Sequence, residues 1–190
     1  ILEAGRKTLP FGEMTLTLDS SQLDWGGYRF KRFIPVGDFI VRGLANRYRQ
    51  PGVGAPLAAE VKPVGSDAEV EAARIPPRIK VPVTAFVRFT EPLRGVLEGK
   101  IEGRIEVYAA NETMTVRVGE RDVPLELEPT ATLAYMLEGA KVWDFEVAGF
   151  RVADPEQVFG DGLILLHPYQ PGQIPVVLVH GTASSPARWA

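Results

Sequence analysis

The residues of this 190-residue sequence whose types and spacing could do chemistry are few, and the most informative lie towards its end. Residues 174–179 (Ile-Pro-Val-Val-Leu-Val) are an apolar, β-branched run that leads into His180-Gly181-Thr182-Ala183-Ser184-Ser185-Pro186. A run apolar on both faces predicts a buried strand. Ser185 before Pro186 is the N-cap and first-turn arrangement that opens a helix. The order is therefore strand, glycine turn, helix start. A glycine at such a bend lets the backbone turn sharply enough for an amide to face a pocket. Residues 162–167 (Gly-Leu-Ile-Leu-Leu-His) read as a neighbouring buried strand, separated from the first by a turn at Pro171-Gly172.

An apolar strand, His-Gly, a few small residues and a serine-proline helix start resemble the loop after the third strand of α/β-hydrolases, where one amide of the oxyanion hole resides. Upstream, Val41-Arg42-Gly43-Leu44-Ala45-Asn46-Arg47-Tyr48-Arg49 and Gly52-Val53-Gly54-Ala55-Pro56-Leu57 resemble a group of bacterial envelope lipase-like hydrolases with a long N-terminal extension. The resemblance implies an α/β fold class: a β-rich accessory region over residues 1–149, then the first strands of an incomplete α/β-hydrolase domain over residues 150–190. It implies that the Thr182 amide is the oxyanion donor, that Gly181 permits the turn and that His180 shapes the loop. It also implies an ester or lipid substrate and a place in the bacterial cell envelope, periplasmic or as an outer-membrane lipoprotein.

Acyl transfer puts negative charge on the former carbonyl oxygen, and fixed amides stabilise that charge without reorganising during the reaction. In this fold the nucleophile sits on a G-x-S-x-G elbow, and the triad runs Ser, Asp or Glu, then His, after the oxyanion strand. No G-x-S-x-G occurs in these 190 residues. The expectation is a chain that supplies half of an oxyanion hole and no nucleophile, and is inactive alone. Its partner would be a C-terminal catalytic segment, or a partner chain that covers the exposed sheet. The other reading is a non-catalytic β-rich binding or assembly module whose last strand happens to look like a hydrolase. His167 and His180 are the only histidines, and both come too early in the hydrolase order to be the base.

Other candidates weigh less. Gly52-x-Gly54 lacks the third glycine and the strand–helix frame of a dinucleotide site, so it reads as a turn. Glu126 with Glu128, and Asp144 with Glu146, are carboxylates two apart that share a strand face, without the further ligands a metal needs. No cofactor or metal is expected. Lys31, Arg32, Arg42, Arg47 and Arg49 read as a solvated, locally paired basic segment. A net charge of −3 without a basic stripe argues against nucleic acid. The absence of cysteine excludes disulfides and thiolate chemistry. No apolar run approaches the roughly 20 residues of a membrane helix, so no transmembrane segment is expected. Ile1 follows no charged leader, which suggests that an initial segment is absent.

The elements that must position these residues are mostly strands. Nineteen glycines and 16 prolines among 190 residues favour turns over helices. Met14, Leu16 and Leu18 alternate with polar residues, as in a half-buried strand. Residues 81–89 and 101–108 are the best strand candidates, rich in β-branched and aromatic side chains. Residues 114–118 and 123–127 flank Gly119-Glu120-Arg121-Asp122 and predict a hairpin with a four-residue turn. Residues 130–138 predict a short helix ending at Gly139, and residues 143–150 a strand. Residues 28–40 show no clear period, residues 51–56 read as loop, and residues 62–77 read as a solvated loop. Trp25, Trp143 and Trp189 read as core or interface anchors.

Overall fold

The computed structural model describes residues 4–44, 46–66, 75, 78–138, 165–168, 172, 174 and 176–179. Its centre is a seven-stranded mixed sheet in the order β1-β2-β7-β6-β5-β4-β3. The strands are β1 (Gly5–Leu9), β2 (Gly12–Leu18), β3 (Asp24–Trp25), β4 (Tyr28–Pro35), β5 (Ala55–Pro63), β6 (Lys80–Thr90) and β7 (Lys100–Ala109). From β3 to β7 the chain is an antiparallel meander, and β2 joins β7 in parallel. A small hairpin of β8 (Thr115–Val118) and β9 (Arg121–Pro124) stands apart from it. Two helices accompany the strands among the described residues: α1 (Pro92–Glu98), between β6 and β7, and α2 (Pro129–Leu137). The fold is strand-rich with few helices.

The sheet is rolled. β3 lies four strand spacings from β7, roughly 19 Å in a flat sheet. Yet Gln22, just before β3, accepts a hydrogen bond from the Val107 amide of β7, and the Trp25 indole donates to Asn111 just beyond β7. Only curvature brings these together. β2 pairs with β7 up to Ile105, and the 3₁₀ turn Ser20–Leu23 takes over at Val107.

Inside the roll, Trp25, Tyr28, Phe30, Ala59, Val81, Val83 and Ala109 form the main core, closed by Ile75 and Ile79. Trp25 stacks on Phe30 and meets Tyr28 edge-on, with centroids about 6 Å apart. The outer face is covered twice. Ala131 of α2 packs with Val36 and Ala58, and the β8–β9 hairpin with its continuation buries Val116, Leu125 and Leu127 over Phe86 and Tyr108.

Several sequence expectations stand. β2 has the predicted alternation with Leu16 buried, β6 and β7 occupy the two predicted strands, and α2 covers the predicted helix. Others are corrected. The β8–β9 turn has two residues, because Gly119 at φ 60° begins a tight turn that lets Arg121 pair with Val118. Residues 28–35 are a strand whose period is broken by a bulge between Phe30 and Arg32. The extra residue turns Phe33 to the same side as Tyr28 and Phe30, three positions on rather than two. The loop at 51–56 ends sooner than expected, since Val53 bridges to Leu125 and β5 begins at Ala55. The solvated stretch 62–77 includes the end of β5 and the buried Ile75.

The run 174–179 is the largest correction. Its described residues, Ile174 and 176–179, stand outside any ladder and are 55 to 91% exposed, where a buried strand was predicted. The core of the rolled sheet is filled without this run, which stays uncovered among the described residues. Likewise, residues 165–167 of the first predicted terminal strand stand outside any ladder; Leu165 packs on the main core and Leu166 is exposed. The strand predicted at 143–150, the helix terminator Gly139, Trp143 and Trp189 lie outside the described residues.

Candidate functional site

Residues 38–44 and 46–50 run over the outer face of the sheet, and charge holds them there. Arg47 donates from Nε and Nη2 to Glu128 Oε2 at 3.2 and 3.0 Å. Arg49 Nε donates to Glu126 Oε1 at 2.6 Å and lies 3.7 Å from Glu128. The remaining oxygens are also used: Glu126 Oε2 accepts from the Gly52 amide, and Glu128 Oε1 accepts from the Ala131 amide and so caps α2. The Glu126 hydrogen bond holds the Arg49 guanidinium above its ordinary pKa. A buried carboxylate is tolerable only when every lone pair has such a partner.

Thus Glu126 and Glu128 do share a face, as their spacing required, but their ligands are arginines. Arg47 and Arg49 of the basic segment are paired, although not locally, because their partners lie 81 and 77 residues away, while Lys31 and Arg32 each lie 4.0 Å from Glu60. Among the described residues no group of three or more His, Cys, Asp or Glu could hold a metal ion. Gly52 and Gly54 serve close packing: a Cβ on Gly52 would come 2.3 Å from the Pro124 carbonyl, and Gly54 sits at φ 95° against Thr84 and Ala85.

Between this segment and α2 lies a groove of about 890 Å³, lined by residues 38–44 and by Ala134, Tyr135, Leu137 and Glu138. Phe39 packs edge-on against Tyr135, and the Lys80 ammonium sits 5.6 Å from the Tyr135 ring. Its size suits a small ligand, and its walls are mainly apolar. Asp38, Arg42 and Glu138 are its charged lining residues. Among its described lining residues there is no nucleophile paired to a base.

A third buried acid lies on the β6–β7 face beside the hairpin. Glu106 accepts from Arg88, Arg104 and the Tyr108 hydroxyl. Burial opposes its ionisation, yet the hydrogen bonds from Arg88, Tyr108 and Arg104 prevail and hold its pKa at about 2. Arg88 also donates to the Arg117 carbonyl, tying the hairpin to the sheet.

Comparison with protein-family models, with curated proteins and with solved structures found no match. The site rests on its residues alone. His180, Gly181 and Thr182, and the helix start at Ser185-Pro186, lie outside the described residues. What is placed is their approach. His167 is half-buried, with Nδ1 2.9 Å from the Pro168 carbonyl, and Pro168 presses on Gly26 beside the Trp25 core. No helix among the described residues is long and apolar enough to cross a membrane.

Sequence reasoning missed the arginine–glutamate lock and the groove. The lock had a signal: two arginines two apart, Arg47 and Arg49, and two glutamates two apart, Glu126 and Glu128. The groove had none, since its lining comes from segments about 90 residues apart in the chain.

Proposed function

We propose that this chain is the N-terminal portion of a serine-dependent α/β-hydrolase acting on ester-type substrates, in which the Thr182 amide forms half of the oxyanion hole. The rolled sheet is then an accessory unit, and the nucleophile lies on a segment other than these 190 residues. The observation that carries the reading is the run 174–179. It is apolar, its described residues are exposed, and it leads directly into His180-Gly181-Thr182. A β-branched segment that the preceding unit leaves uncovered fits a strand of a different sheet. β6 supports this separation, because β5 and β7 flank it on both sides and leave no place beside it for residues 176–179. A bacterial envelope location and an ester or lipid substrate belong to the same proposal.

The test is to read the coding frame beyond Ala190 and assay its full product on activated esters, with and without a serine-directed phosphonate. A G-x-S-x-G elbow and phosphonate-sensitive turnover support the proposal. A frame with no elbow, and a product with no turnover, would replace it with a β-rich binding or assembly module.

A further inference from the structure

Helix α1 has its polarity reversed. Of its seven residues only Gly95 is buried, against Lys100 and Ile101 at the start of β7. Leu93 and Leu97, one turn apart on a single face, are 82 and 88% exposed, and Val96 beside them is exposed as well. A surface helix normally turns its apolar stripe inward. Here glycine brings the backbone close to the sheet and the aliphatic side chains point away from it. Phe11, in the β1–β2 turn, is exposed at the same end, because Gly12 packs on Gly99 at the end of α1 and the Glu13 amide donates to the Gly99 carbonyl.

We propose that this end of the rolled sheet is a lipid-surface contact, in which Phe11, Leu93, Val96 and Leu97 enter the interfacial region of a bilayer. The size of the patch selects the partner. Four side chains offer a few hundred Å², whereas a stable protein interface takes about 800 Å² and roughly 20 to 30 residues a side. A few aliphatic and aromatic side chains on a protrusion suffice for reversible binding at a membrane interface. The charge distribution agrees. Glu91 and Glu98 are both paired with Arg94, and Glu13 with Arg6, while Lys7 and Lys100 have no ion pair among the described residues. These two cations are free to meet lipid phosphates. The inference is independent of the proposed hydrolase function.

The experiment is flotation of the 190-residue chain with phosphatidylcholine vesicles, with a variant carrying both Leu93→Asp and Leu97→Asp. The parent chain should float with the vesicles. The variant should lose its partitioning about a hundredfold, the value of two inserted leucines, with an unchanged melting temperature because neither side chain is packed. Val177→Asp, in the other exposed apolar run, should float like the parent. A parent that stays at the bottom of the gradient overturns the proposal. So does a double variant that floats normally, or a concentration-dependent dimer that the double substitution abolishes.

Discussion

Arg47 Nη2 lies 3.0 Å from Glu128 Oε2, joining residues 81 positions apart, with the Glu128 side chain fully buried and that of Arg47 41% exposed. The pair ties the crossing segment to the first turn of α2, because the other Glu128 oxygen accepts from the Ala131 amide.

Glu128→Ala removes both attachments and leaves Arg47 without its partner. Loss of one partner of a buried pair costs about 3 to 5 kcal/mol. The expected outcome in urea unfolding is a loss at the lower end of that range, since Arg47 can turn to solvent. Arg47→Met strands the buried carboxylate and should cost a comparable amount. A loss below about 1 kcal/mol in both variants would show that the lock does not hold the segment.

Glu106 makes stability depend on acid. Its pKa falls from the ordinary 4.5 to about 2 on folding, so its contribution is complete above pH 4.5 and is lost as pH falls towards 2. The difference corresponds to about 3 kcal/mol. Glu106→Gln should therefore be less stable than the parent at pH 7 and converge on it near pH 2. Parallel stability curves across that window would contradict the assignment.

Gly52 is held against backbone rather than against a movable side chain. Gly52→Ala would place a methyl 2.3 Å from the Pro124 carbonyl and 2.4 Å from Leu125, so the bridge between Val53 and Leu125 must shift. The expected cost is about 1 to 3 kcal/mol by thermal melt. Gly43→Ala separates strain from crowding: its φ of 81° strains any side chain although its Cβ meets nothing, whereas Gly52 has no positive φ and lacks only space. A Gly52→Ala loss below about 1 kcal/mol would mean that the neighbouring backbone moves aside at little cost.

The exposed run 174–179 should bind a hydrophobic dye. Val177→Asp should lower the fluorescence without changing the melting temperature, since Val177 is exposed. Dye fluorescence unchanged by Val177→Asp would mean that the run is not the binding surface.

What the sequence revealed depended on whether one face of a strand met water. β2 and β7 read clearly because Leu16, Ile101 and Ile105 are buried while Thr15, Thr17, Lys100, Glu102 and Arg104 are exposed. In β5 both Ala58 and Ala59 are buried, one against α2 and the other inside the roll, so no alternation survives. The bulge hid β4 by placing Phe33 one residue out of phase. α1 gave no signal, since a helix that buries only a glycine has no inward apolar stripe. The motif at His180-Gly181-Thr182 was legible as a spacing of residue types. The Arg–Glu lock was not, because its register is set by the chain's path over the sheet.

The central claim is that the Thr182 amide stabilises an oxyanion, and the most direct measurement is kcat of the full reading-frame product carrying Thr182→Pro. Proline removes that donor, whereas Thr182→Ala keeps it. With folding verified by thermal melt, the proline variant should lose about 10² to 10³ in kcat, or ~3 to 4 kcal/mol of transition-state stabilisation, while the alanine variant stays near the parent. A well-folded Thr182→Pro enzyme with near-parental kcat would remove the oxyanion role from this loop.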